Sequence, residues 1–257
     1  MSGKSLLAAA ALLLFAYAGL CALLYSKQRE LIYYPGPTRV PVQETDFELV
    51  RGEATLRGWR VNPGQTDAIL YFGGNAEGLG PSRADFAELF PGKTTYLLAY
   101  RGYGASGGTP DEAALFADAL ALFDHASAQH PEGSISLVGR SLGSGVASYV
   151  ASQRPVRKLV LVTPFDSLAA VAQSHYPMFP VRWLMQDRYE STRYLPRYTG
   201  PLLVLRAGRD EVVAPRNTDR LLAALPRPPR VIDFPLAGHN DISDDPAYAR
   251  ALGDFLR

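Results

Sequence analysis

Gly139-Arg140-Ser141-Leu142-Gly143 fits the pattern G-x-S-x-G, in which small neighbours let a serine sit on a sharp turn with its hydroxyl exposed. A serine hydroxyl is a poor nucleophile at neutral pH. It attacks a carbonyl once a base takes its proton and an acid fixes the tautomer of that base. The chain holds four histidines from which to choose the base. His125 and His130 lie in a helical stretch among polar neighbours and are expected to be solvated, whereas His175 falls among Tyr, Pro, Met and Trp and is expected to pack there. His239, in Gly238-His239-Asn240-Asp241, follows the last apolar run and is the expected base. Two carboxylates could orient it: Asp210, in Ala207-Gly208-Arg209-Asp210-Glu211-Val212-Val213, and Asp166, in Thr163-Pro164-Phe165-Asp166. Asp241 is too close to His239 in sequence to orient its ring and is expected to serve a turn. An acyl-transfer oxyanion needs two positioned N–H donors. The backbone of Leu142 would supply one. Asn75 is expected to supply the other, from Phe72-Gly73-Gly74-Asn75-Ala76-Glu77, where paired glycines let the backbone turn its amides toward the serine.

Groups this far apart in sequence meet only if a sheet carries them to one edge. Short apolar runs bounded by Gly and Pro, at 68–72, 95–100, 135–138, 159–162, 202–205 and 231–234, are expected to be buried parallel strands. Two alternating stretches, 47–50 and 56–61, are expected to form an antiparallel pair. Helical stretches at 111–130, 141–154, 215–225 and 246–256 alternate with the runs, which predicts an α/β domain with helices on both faces of a mostly parallel central sheet. Ser141 then falls directly after a strand and at the start of a helix, where the motif needs it. Residues 164–200 contain no strand pattern and are expected to form a small cap of short helices. Its Tyr176, Met178, Phe179, Trp183, Leu184 and Met185 would either line an acyl pocket or seal the core.

Leu6 to Tyr25 carries no charge and is mostly Leu and Ala. A run of that length, rising about 1.5 Å per residue, matches a hydrocarbon core of about 30 Å. The competing reading is a cleaved signal peptide ending at Ala16-Tyr17-Ala18, but the apolar run continues past that triplet through Leu20, Leu23 and Leu24. A membrane anchor over 1–28 and a catalytic domain over 29–257 are therefore expected. Cys21 follows Ala18-Gly19-Leu20, a poor match to a lipoprotein signal. Lys4 precedes the run and Lys27 and Arg29 follow it, a near balance that fixes no orientation.

The 26 basic and 25 acidic residues nearly cancel and form no basic run, which argues against nucleic acid as a partner. Cys21 is the only cysteine, and no histidine pair stands at ligand spacing, so neither a metal nor another cofactor is expected. Only four of the basic residues are lysines, a bias of GC-rich bacterial genomes, which would place the anchor in a bacterial inner membrane.

Leu-Tyr-Phe-Gly-Gly-Asn-Ala at 70–76, Tyr-Arg-Gly-Tyr-Gly-Ala-Ser-Gly-Gly-Thr-Pro at 100–110, Gly-Arg-Ser-Leu-Gly-Ser-Gly at 139–145, Thr-Pro-Phe-Asp-Ser-Leu at 163–168, Gly-Arg-Asp-Glu-Val-Val at 208–213 and Gly-His-Asn-Asp at 238–241 together resemble the membrane-anchored α/β-hydrolases. That group includes depalmitoylase-like and serine aminopeptidase S33-like proteins. The resemblance covers nearly everything after residue 30. The chain order Ser141, Asp210, His239 is that of the α/β-hydrolase triad, which favours Asp210 over Asp166 as the acid. What the resemblance implies is an α/β-hydrolase fold preceded by one transmembrane helix, and a serine hydrolase that cleaves an ester or thioester, of acyl or lipid type, through an acyl-enzyme. The same residues would serve an aminopeptidase-like amidase or an acyltransferase, and a non-catalytic binding protein on this fold is the further alternative. The chain departs from the group at Gly73, where a histidine usually precedes Gly-Asn; the lost side chain would loosen the oxyanion loop.

Overall fold

The computed structural model describes residues 3–257. It begins with α1, Gly3–Ile32, which runs unbroken from the apolar stretch through the charged turn at Lys27 to Glu30. Leu and Ala are strong helix formers. The helix is long and apolar enough to cross a membrane, and its apolar side chains point outward, Leu7 and Phe15 being more than 70 % exposed.

Eight strands follow: β1 Phe47–Arg51, β2 Ala54–Val61, β3 Asp67–Phe72, β4 Lys93–Leu98, β5 Ile135–Arg140, β6 Leu159–Val162, β7 Leu202–Ala207 and β8 Arg230–Phe234. They form one sheet in the order β1-β2-β4-β3-β5-β6-β7-β8. β1 and β2 make an antiparallel hairpin at one edge, β2 pairs antiparallel with β4, and every later pairing is parallel. The run expected at 95–100 slides to Lys93–Leu98, so Ala99 and Tyr100 begin the loop beyond it.

The remaining helices are α2 Ser82–Leu89, α3 Glu112–Gln129, α4 Leu142–Gln153, α5 Leu168–His175, α6 Val181–Leu184, α7 Ser191–Tyr194, α8 Pro215–Ala223 and α9 Pro246–Leu256. Leu70, Leu137 and Leu161 face α3, α4 and α8, while Ile69, Val138 and Val160 face α2 and α9. The sheet is thus buried on both sides, which explains why its strands read as continuous apolar runs. α2 escapes the sequence pattern because Phe86 is its single buried residue.

α5, α6 and α7 build the cap over the carboxyl edge of the sheet. Glu112, the first residue of α3, ties the cap down by accepting from the backbone N–H of Arg188 (2.6 Å) and of Tyr189 (2.9 Å). Burial pushes its carboxyl group above the usual range. Tyr33, just past α1, donates to Asp187 of the cap at 3.0 Å, and Arg29 reaches the same carboxylate at 3.1 Å. One expectation fails here. His130 is buried rather than solvated, because the chain turns inward after α3 and places its ring between the Tyr96 hydroxyl (3.0 Å) and the Gln65 carbonyl (2.9 Å). His125 is half-buried against Phe47.

Candidate active site

β5 ends at Arg140 and α4 begins at Leu142, so Ser141 makes the turn by itself, with φ 50° and ψ −117°. A side chain rarely adopts that region, and a residue held there is strained. The strain is held by flanking hydrogen bonds: Ser141 N–H donates to Val162 O at 2.9 Å, and Ser144 N–H donates to Ser141 O at 2.8 Å. Glycine is required on either side. A Cβ on Gly143 would fall on the Phe72 carbonyl oxygen, and one on Gly139 would fall on the carbonyl of Gly143.

Asp210 follows β7 and His239 follows β8, so two neighbouring strands deliver them to the edge where Ser141 stands. His239 Nδ1 lies 2.7 Å from Asp210 Oδ2, and His239 Nε2 lies 2.8 Å from Ser141 Oγ. A carboxylate can only accept, so Nδ1 carries the proton and donates. Nε2 is then left with a lone pair aimed at the serine hydroxyl. Both Asp210 and His239 are buried, while Ser141 is half-exposed toward solvent. Asp210 Oδ1 accepts from Val212 N–H (2.9 Å) and Val213 N–H (2.6 Å), which fixes the rotation of its carboxylate.

Asp166 is engaged elsewhere. Its oxygens accept from Asn217 Nδ2 at 2.9 Å and Arg220 Nε at 2.6 Å. Asp241 closes a turn by accepting from Gly238 N–H at 2.6 Å. His175, at the end of α5, donates from Nε2 to Val212 O at 2.9 Å and so braces the cap against the Asp210 loop.

Leu142 is the first residue of α4, and the opening N–H groups of a helix have no acceptor within it. Across from it, the side chain of Asn75 is committed to the end of α1: Nδ2 donates to Ile32 O (2.7 Å), and Oδ1 accepts from Tyr34 N–H (3.1 Å) and Tyr103 Oη (2.6 Å). Any donation from Asn75 to a substrate must therefore come from its backbone. The loop is also tied by a residue to which the sequence alone assigns no role. Glu77 accepts from Gly74 N–H at 2.6 Å and from the buried Tyr71 hydroxyl at 2.6 Å, and pairs with Arg140 at 3.5 Å. Arg140 in turn reaches the carbonyls of His239 and Asn240 at 3.4 and 3.3 Å, linking the Gly73-Gly74 loop to the histidine loop. A Cβ on Gly73 would sit 2.8 Å from Leu79 Cδ2 and 3.5 Å from Glu77 Oε2. The room a side chain would need there is already filled, so the expected loosening of the loop is countered by Glu77 and by Tyr100, which donates to Gly73 O at 2.9 Å. The signal for Glu77 was its place in this glycine loop.

The cap side chains divide: Met185 is buried and seals the core, Phe179 and Leu184 are half-buried, and Tyr176, Met178 and Trp183 face outward. Among the described residues no group of three or more His, Cys, Asp or Glu side chains could hold a metal ion.

Residues 86–194 match the family described as serine aminopeptidase, S33. The chain is similar to an uncharacterized protein of Mycobacterium tuberculosis, 36 % identical over 93 % of this chain and 90 % of that one. It is 30 % identical to the α/β hydrolase domain-containing protein aho-3 of Caenorhabditis elegans, over 90 % of this chain and 73 % of that one. The lysophosphatidylserine lipase ABHD12 of Rattus norvegicus is 29 % identical, over 73 % of this chain and 55 % of its own length. Among solved structures, the Pyrococcus furiosus esterase Pf2001 superposes with a TM-score of 0.67 over 82 % of this chain and 88 % of that one at 18 % identity, a likeness of fold.

Proposed function

This chain belongs to the α/β-hydrolase family, and on that premise we propose that it is a membrane-anchored serine hydrolase cleaving an acyl ester or thioester through an acyl-enzyme. The observation that carries the reading is the continuous relay from Asp210 through His239 to Ser141, at 2.7 and 2.8 Å. Ser141 Oγ attacks the acyl carbonyl while His239 Nε2 takes its proton. The imidazolium so formed is stabilised by the buried Asp210 carboxylate. Charge gathering on the carbonyl oxygen is met by the N–H groups of Leu142 and Asn75. His239 then returns the proton to the departing alcohol or thiol, and a water activated by the same ring releases the acid.

The lipid side of the reading is supported by α1, which is long and apolar enough to hold the domain at a membrane where acylated molecules concentrate. Labelling of the membrane fraction by a fluorophosphonate, abolished in Ser141→Ala, tests the nucleophile. Measurement of kcat/KM across an acyl-length series tests the substrate class: medium and long chains should be preferred to acetyl. Preference for acetyl esters or for aminoacyl amides would overturn the lipid reading and favour an aminopeptidase.

Glu77 acts in this scheme as a positioning residue. Glu77→Ala removes the acceptor that holds Gly74 N–H and orphans the buried Tyr71 hydroxyl, leaving the Asn75 amide free to wander. The expected result is a fall in kcat approaching the ~10²-fold that loss of one oxyanion donor costs, with little change in KM. Glu77→Gln, which keeps one acceptor, should recover part of it. Steady-state kinetics on a soluble ester checks both, and a change confined to KM would remove Glu77 from this role.

A further inference from the structure

One face of α1 does not point outward. Cys21, Leu24 and Gln28 are half-buried at helical spacing, continuing the line of Tyr17, and the cap segment 176–186 lies along them. Gln28 accepts from Gln186 N–H at 2.7 Å and donates to Leu184 O at 3.3 Å. Further toward the N-terminus, Tyr17 donates to Met178 O at 2.8 Å, and its ring stacks on Phe179 with centroids 5.9 Å apart. The cap thus follows α1 from Tyr17 to Gln28, about 16 Å of helix. Tyr17 lies eight residues inside the end of the uncharged run, so a membrane matched to that run would place Met178 and Phe179 about 12 Å beneath its edge.

The segment is built for that setting. Apart from Arg182 it is uncharged from Tyr176 to Met185, and Met178 and Trp183 are 80 % and 88 % exposed. Exposed backbone polar groups exclude most loops from lipid. Here most N–H groups are paired: Phe179, Val181, Trp183, Leu184 and Met185 donate to backbone carbonyls within the segment, Arg182 donates to Gln173 Oε1, and Pro177 and Pro180 have no N–H, which leaves Met178 with the one unpaired N–H of 177–185. Gln173 also caps the carbonyls of Tyr176 and Phe179. Arg182 is exposed, and its long stem would let the guanidinium reach lipid phosphates while its methylenes stay in an apolar layer.

We propose that cap residues 176–184 insert into the lipid bilayer beside α1, forming a second membrane contact that sets the carboxyl edge of the sheet, and with it Ser141, against the lipid surface. The proposal rests on the anchor reading of α1. It deepens that reading by naming the face through which substrate arrives: an acyl chain passes from the bilayer to the catalytic serine along the junction of α1 and the cap. The end of α1 also grips Asn75 of the oxyanion loop, so the same junction reaches the reaction centre.

The chain carries two tryptophans, Trp59, which is buried, and Trp183. In Trp59→Phe reconstituted into phosphatidylcholine vesicles, Trp183 emission should shift to the blue, and brominated lipid should remove about half or more of it, as for an indole at the membrane interface. Trp59 donates to Glu44 O, and its loss could impair folding. A second variant therefore leaves the core intact: Cys21→Ser with Met178→Cys carries a nitroxide, whose collisions with oxygen should exceed those with a water-soluble nickel chelate. Carbonate washing and flotation report on α1 separately. A chain that stays with the vesicles while its Trp183 emits as in water and its nitroxide meets nickel freely overturns the cap insertion and leaves the anchor standing. A chain stripped by carbonate overturns both.

Discussion

Replacing Ser141 by alanine should lower turnover of a p-nitrophenyl ester by on the order of 10⁵-fold, leaving what binding and the oxyanion donors supply. The folded chain should lose about 1 kcal/mol, the worth of the hydrogen bond between Oγ and His239 Nε2, because alanine keeps the Cβ and the strained turn. Ser141→Gly separates the two effects. Glycine adopts a φ of 50° without steric strain, so this variant should be equally inactive yet more stable than Ser141→Ala by about 1–2 kcal/mol, which offsets the lost hydrogen bond. A serine kept in that conformation at the expense of stability is explained by the hydroxyl it presents. Thermal denaturation of the three proteins alongside their turnover checks the pair of claims. Wild-type turnover in Ser141→Ala would reject the nucleophile, and a glycine variant less stable than alanine would reject the strain argument.

The sheet was legible because strands buried on two faces must be apolar at every position, and runs such as Leu159–Val162 leave little else to form. The elbow was legible because backbone crowding at Gly139 and Gly143 writes itself into residue type. His239 was singled out by its place after the last strand, whereas Asp210 and Asp166 both follow strands of the sheet, and the chain order of the resembling family favoured Asp210. Contacts between distant surfaces were not legible. Nothing in the types of Glu77, Tyr71 and Arg140 announces that they meet, since each is an ordinary residue for its own element and only the register of β3 against β5 brings them together. The same holds for Asn75: glycines around it pointed to the loop, but its side chain answers to Ile32 and Tyr34, 43 and 41 residues earlier. His130 misled because a helix-end histidine among polar neighbours looks solvated until the following turn buries it.

Asp210→Asn should reduce kcat by about 10⁴-fold with the fold intact, while Asp166→Asn should change it little. The size of the first effect follows from the loop that holds the acid. Val212 and Val213 both present N–H groups to Oδ1, so an asparagine will place its carbonyl there and turn its NH₂ toward His239. An amide donor facing Nδ1 stabilises the tautomer that carries its proton on Nε2. That ring can no longer accept from Ser141 Oγ, and the nucleophile loses its base. Asp166 has no such hold on the ring. Its partners are Asn217 and Arg220 of α8, so Asp166→Asn weakens the attachment of that helix to the loop after β6 and should appear as a lower melting temperature with turnover retained. A rise in the Asp210→Asn rate at high pH, where the misplaced proton is more easily shed, would mark the defect as one of tautomer rather than of packing. Measured turnover in the opposite order, with Asp166→Asn inactive and Asp210→Asn near wild type, would transfer the acid to the earlier strand.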